Sequence, residues 1–152
     1  MPARHEDWLR QAKRDLEHVE RCIDDGHYEW ACFAAQQSAE KGVKALFAKA
    51  NCSVWGHSVG ALLQQLPDPW RADESLVDAG RELDKHYIPP RYPNAHPQGA
   101  PYDYYTRSEA ERALDHTTNI LAFCEDLLAE RGAGPGASER GGELPCRDAS
   151  GD

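Results

Sequence analysis

Tyr28 to Lys49, YEWACFAAQQSAEKGVKALFAK, lies inside the longest proline-free run of the chain and is evenly stocked with helix formers. It reads as one long helix. At about 100° per residue, Ala31, Cys32, Ala35, Ala39, Gly42, Val43 and Leu46 share one arc, and Gln37, Glu40, Lys41 and Lys44 fall opposite. The apolar arc is built from small residues, which let neighbouring helices approach closely, so this helix suits the middle of a bundle. Phe33 and Phe47 lie off that arc. A second helix or a second subunit is expected to cover them.

The remaining helices are legible from the same periodicity. From about Glu6 to Asp25, Trp8, Leu9, Ala12, Leu16, Val19, Cys22 and Ile23 recur at helical spacing among charged residues. Gly26 is placed to end that helix in the left-handed conformation, and so short a link makes the first two helices pack antiparallel. Ser58 can cap a short helix carrying Val59, Leu62, Leu63 and Leu66, which Pro67-Asp68-Pro69 stops. A fourth helix is expected over about Asp73 to His86, with Leu76, Ala79 and Leu83 inward. Thr106 and Glu109 form a capping-box pattern opening a last long helix, in which Ala110, Ala113, Leu114, Thr117, Leu121, Cys124 and Leu128 share a face.

Between the fourth helix and the last, Tyr87 to Pro101 holds five of the ten prolines, and Tyr87 to Tyr105 holds five of the six tyrosines. Proline fixes its own φ and biases the residue before it toward extended backbone, so the segment is expected to be a stiff, non-helical surface loop. Stiff loops can hold side chains for chemistry. From Gly132 to Asp152 there are six glycines and almost no large apolar residue, a composition expected to stay disordered.

A chain of 152 residues fits one core. Its net charge of −9 repels phosphate backbones as a whole, which disfavours generic nucleic-acid binding. No apolar run approaches the ~20 residues needed to span a bilayer, and the first residues lack the apolar segment of a signal peptide, so a cytoplasmic location without membrane association is expected. Five cysteines without a CxxC pair, with Cys22, Cys32 and Cys124 on apolar helix faces, read as reduced core thiols rather than disulfides or a zinc site. Phosphate-loop, HExxH and GxSxG patterns are missing, so kinases, metalloproteases and esterases of the usual kinds are not supported.

AAQQSAEKGVKALF, followed by His57-Ser58 and then by YIPPRYPNA, resembles the HEPN domain over roughly Asp7 to Leu128. The resemblance implies an all-α, antiparallel bundle of about five helices that dimerises, is partnered by a minimal nucleotidyltransferase in a toxin-antitoxin-like pair, and in some branches acts as a metal-independent endoribonuclease toxin. The expected division is a helical domain over residues 1–131 and a disordered, glycine-rich tail over 132–152. No cofactor and no metal site are expected.

Two functions follow from that resemblance. The first is a nucleotide-responsive interaction module in which Lys41, Lys44 and Arg91 meet phosphates. The second is RNA cleavage by Arg91 and His96, whose spacing matches the R-x4-6-H pattern of the ribonuclease branch. A histidine there takes or gives the proton, and an arginine holds the phosphate as charge builds on its oxygens. In the active branch a polar residue follows the arginine and a tyrosine stands two positions beyond the histidine. Here those places hold Tyr92 and Gln98, and Pro93 and Pro97 bracket the histidine. Plainer readings stand beside these: Arg91 bridged to Asp84 or another acid, His96 an exposed loop residue, His57-Ser58 a helix cap, and Gln36, Gln37, Glu40 and Lys41 a solvated helix face. Tyr102, Tyr104 and Tyr105 can stack on bases or pack the loop onto helices.

Overall fold

The turn after the first helix decides how the first two meet. In the computed structural model, which describes residues 4–130, α1 (Arg4–Asp24) ends at Gly26 with φ +80°. Gly26 N–H bonds the Ile23 carbonyl at 3.1 Å and His27 N–H the Cys22 carbonyl at 2.8 Å, the paired closure that a left-handed residue permits. The chain reverses at once into α2 (Tyr28–Lys49), and the two helices pack antiparallel, tied where Ser38 Oγ donates to the Ala12 carbonyl at 2.6 Å.

α2 is the centre of the molecule, as its small-residue arc implied. Its buried residues include the expected alanines, Val43 and Leu46, but also Gln36, Ser38 and Glu40. The expectation of a solvated polar face therefore fails at Gln36 and Glu40, because a helix surrounded by neighbours buries its polar ridge along with the rest. Phe47 is 2 % exposed within the single chain, so it needs no second subunit to cover it. Phe33 stays partly exposed.

Asn51, at φ +57°, closes α2 as Gly26 closes α1, with Cys52 N–H on the Phe47 carbonyl at 2.8 Å. Ser58 then caps α3 (Val59–Gln64), its side chain accepting from Ala61 N–H. After a 3-10 turn at Asp68–Trp70, Asp73 caps α4 (Glu74–Asp84). α3 and α4 cross almost backbone to backbone. A Cβ on Gly80 would stand 2.9 Å from Gly60 N, which is too close for any side chain. Of the fourth helix's expected inward residues, Ala79 and Leu83 are buried and Leu76 is partly so.

The proline-rich segment is mostly non-helical, with two departures from expectation. A 3-10 turn forms at Pro93–Ala95, and Pro101 opens a single-turn helix, α5 (Pro101–Tyr104). In both, proline stands at the first turn, where no N–H is needed and φ is already suitable. Thr106 then caps α6 (Arg107–Ala129), accepting from Glu109 N–H. Thr117 Oγ1 donates to the Ala35 carbonyl at 2.9 Å, and further along Gly42 faces Leu121 and Cys124, so α6 runs in the same direction as α2.

Cys22, Cys32 and Cys124 are free and buried, as expected, and burial pushes the Cys32 thiol up to about 12. Cys52 departs from that expectation, being disulfide-bonded. No helix among the described residues is long and apolar enough to cross a membrane. The expected tail, 132–152, lies outside the described residues.

Where α4 ends against α6, His86 is buried and packs edge-on against Tyr105, with ring centres 5.6 Å apart. Burial, then the positive charges of Arg112, His116 and Lys85, depress its pKa from 6.5 to about 4, opposed by Glu82. The unfolded chain therefore binds a proton below pH ~6.5 that the folded one refuses until pH ~4. Stability should be full above pH ~6.5 and fall by on the order of 2–3 kcal/mol as pH drops to about 4. Urea unfolding of wild type and His86→Gln at pH 7 and 4.5 checks this. The carboxylates titrate in both proteins, so the variant should show a distinctly shallower loss.

Candidate functional site

The loop from Tyr87 lies across the first turns of α2, and Arg91 is its hub. Arg91 Nε donates to the Tyr87 carbonyl at 2.8 Å, across four residues. Its guanidinium carbon lies 4.4 Å from the centre of the Phe33 ring, 4.8 Å from Tyr87 and 5.3 Å from Tyr92. Rings on several sides fix the guanidinium plane while leaving its charge uncompensated. Among the described residues Arg91 has no ion-pair partner, and the bridge to Asp84 is not made. Asp84 instead accepts from Ser58 Oγ at 2.7 Å, Val59 N–H at 2.7 Å and Gly60 N–H at 3.0 Å, closing the start of α3 against the end of α4.

His96 is part of the loop's own packing, not an exposed residue. Its ring stacks on Tyr104 with centres 4.4 Å apart and stands edge-on to Tyr105 at 6.4 Å. His96 Nε2 lies 2.8 Å from the Pro89 carbonyl. A carbonyl only accepts, so Nε2 carries the hydrogen and that nitrogen is committed to the backbone. Tyr104 also donates its hydroxyl to the Gln98 carbonyl. The loop tyrosines Tyr104 and Tyr105 thus pack the loop, while Tyr102 is largely exposed.

Arg91 and His96 therefore have separate partners, Arg91 on Phe33 and Tyr87, His96 on Tyr104 and Pro89. Lys41 and Lys44 each have an acid of their own. Lys41 Nζ lies 2.5 Å from Asp15 on α1. Lys44 Nζ lies 3.3 Å from Glu40 Oε2 and 5.9 Å from the centre of the Trp8 ring. Their charges are already answered by acids, and the Arg91 charge is not.

On the other side of Tyr87 stands a group that the sequence reading passed over as a helix cap. Ser58 does the capping, and His57 does something else. Its ring stacks on Tyr87, with centres 4.8 Å apart and planes 19° from parallel. His57 Nδ1 lies 3.2 Å from Oε1 of Glu40, whose side chain is 7 % exposed against 56 % for His57. Gln36 Nε2 donates to the His57 carbonyl at 2.7 Å, and Gln37 Nε2 to Gln36 Oε1 at 2.7 Å. Glu40 is thus held on Oε1 by His57 and on Oε2 by Lys44. The available signal was the run Gln36, Glu40, Lys44, polar at every fourth position of a helix otherwise suited to the core.

The sequence matches the HEPN domain family over residues 5–127. A relative from Methanocaldococcus jannaschii, named "Putative toxin", is 26% identical over 133 residues, covering 82% of this chain and 88% of the relative. Among solved structures, a protein of Thermus thermophilus is 49% identical with a TM-score of 0.80, covering 82% of this chain and 98% of its own. An archaeal HEPN homologue is 39% identical at TM-score 0.68, over 83% of this chain and 98% of its own. A HEPN domain protein of Thermotoga maritima is 41% identical at TM-score 0.67, over 82% and 98%.

Proposed function

We propose, from the premise that the chain belongs to the HEPN family, that it is a toxin-like, nucleotide-responsive interaction module partnered with a minimal nucleotidyltransferase in the cytoplasm. The observation that carries this reading is Arg91. A guanidinium fixed on three rings, with no acid answering it among the described residues, is pre-organised for a phosphate or carboxylate from outside the chain. Trp30, Ile88 and Tyr92 are exposed, Trp30 6.2 Å from the Phe33 ring, and they give the same region an apolar rim for a partner or a second copy. The toxin name carried by the Methanocaldococcus relative agrees with a role in such a pair. In this reading the nucleotide's phosphates meet Arg91, with Lys41 and Lys44 contributing only if they exchange Asp15 and Glu40 for the ligand.

The test is co-expression with a minimal nucleotidyltransferase from the same genome. The two should purify as a complex whose affinity changes at least about tenfold with ATP, or about 1.4 kcal/mol. Separate elution with and without nucleotide would overturn the pairing. A second reading, metal-independent RNA cleavage, is favoured by one observation: an exposed imidazole on a buried carboxylate beside the Arg91 platform.

A further inference from the structure

We propose that the cavity between the end of α4 and the first turns of α6 binds the phosphate group of a small ligand, held by Arg112, Lys85 and His86. The cavity encloses about 300 Å³, at the lower end of the range for small-molecule sites. Lys85 and His86 border it from the end of α4, and Arg112 and His116 from α6. None of the side chains that hold Arg91 borders it, so this site is separate from the function proposed above. The observation that asks for a ligand is His86. Its residue is 9 % exposed, and its ring makes no hydrogen bond among the described residues. Nδ1 is sealed from solvent without a partner, which leaves Nε2 as the nitrogen for the cavity. Polar groups buried to this degree ordinarily have a partner, and a neutral imidazole with its hydrogen on Nε2 can donate to one.

The charges around that ring select an anion. Arg112 and Lys85 stand on different helices, and neither forms an ion pair among the described residues. Both work against a proton on His86, as does His116, and only Glu82 acts the other way. Glu82 is already engaged with His116 across the two helices. Glu109 also borders the cavity, but its charge bears on Tyr105 and Cys32, not on His86. The carbonyls that end α4 are closed as well, since Lys85, His86 and Tyr87 N–H donate to the Glu82, Leu83 and Asp84 carbonyls. Two unanswered cations and one neutral donor therefore share a half-enclosed space. The Arg112 fork can take two phosphate oxygens, while Lys85 and His86 Nε2–H serve the others. A carboxylate, with two oxygens and one charge, leaves one of the three groups unused. The space also exceeds a bare phosphate ion, which gives room for a phosphomonoester.

The experiment titrates the full-length protein with inorganic phosphate and with ribose 5-phosphate at fixed ionic strength, followed by calorimetry and by the ring resonances of His86. Both probes should shift the His86 signals, and acetate at the same ionic strength should leave them in place. Arg112→Ala should weaken binding at least about tenfold and Lys85→Ala at least about threefold, while Arg91→Ala stays within about twofold. Arg112 and Lys85 are exposed, so both variants should melt close to wild type. Tighter binding of ribose 5-phosphate than of inorganic phosphate marks a phosphomonoester site and the reverse order marks the free ion, and either order keeps the site. Phosphate that leaves the His86 signals unmoved, or acetate that binds as well as phosphate, overturns the proposal. So does binding that survives Arg112→Ala and is lost in Arg91→Ala, which puts the anion on the Arg91 platform instead.

Discussion

Phe47→Ala is expected to lower the unfolding free energy by about 3–4 kcal/mol, the largest effect of a single substitution considered for this chain. The ring is 2 % exposed and belongs to the core that α2 shares with its neighbours, so truncation removes apolar contact and leaves a cavity that fixed helices cannot close. Urea unfolding followed by circular dichroism measures the loss. The position also separates two readings. A ring covered by the chain's own core changes stability at any protein concentration. If Phe47 were instead covered by a second subunit, the loss would vanish at low concentration, where wild type is already dissociated, and that result would contradict the fold described here.

Asp84→Ala should cost about 2–3 kcal/mol, although the residue lies at a helix end and is only partly buried. One carboxylate accepts from Ser58 Oγ, Val59 N–H and Gly60 N–H, and its removal strands two backbone donors at the start of α3. The crossing of Gly60 on Gly80 leaves no room for a replacement side chain or for easy adjustment. Asp84→Asn should recover part of the loss, since an amide oxygen can still accept. Thermal melts of the two variants check the order. A change under about 0.5 kcal/mol in Asp84→Ala would show that water replaces the carboxylate without cost.

The helices were legible because their causes are local. The bounds of α2 follow from a run of helix formers that Gly26 precedes and Asn51 closes, and the caps at Ser58 and Thr106 announce themselves by residue type. What periodicity could not give is which polar residues a central helix buries. Glu40 lies opposite the apolar arc, and only the packing of the Ala50 to Ser58 loop onto α2 turns it into a buried partner for His57. The site was legible in part for the same reason. Arg91 could be found from its motif, but its neighbours come from α2 and from its own loop through ring contacts with no sequence spacing. Asp84 was the nearest acid in sequence to assign to it, and the backbone at the start of α3, brought close by the glycine crossing, takes that acid instead.

The account turns on Arg91 being a cation held for a ligand rather than a strut for the loop. The direct measurement is calorimetric titration of ATP and AMP into wild type and Arg91→Ala, with a melting curve for each protein. Arg91→Ala should weaken nucleotide binding at least about tenfold while the melting midpoint falls by no more than a few degrees, since rings and one backbone bond are lost but no buried ion pair. Equal nucleotide affinity in the two proteins, or a large fall in midpoint with no nucleotide bound by wild type, would contradict it.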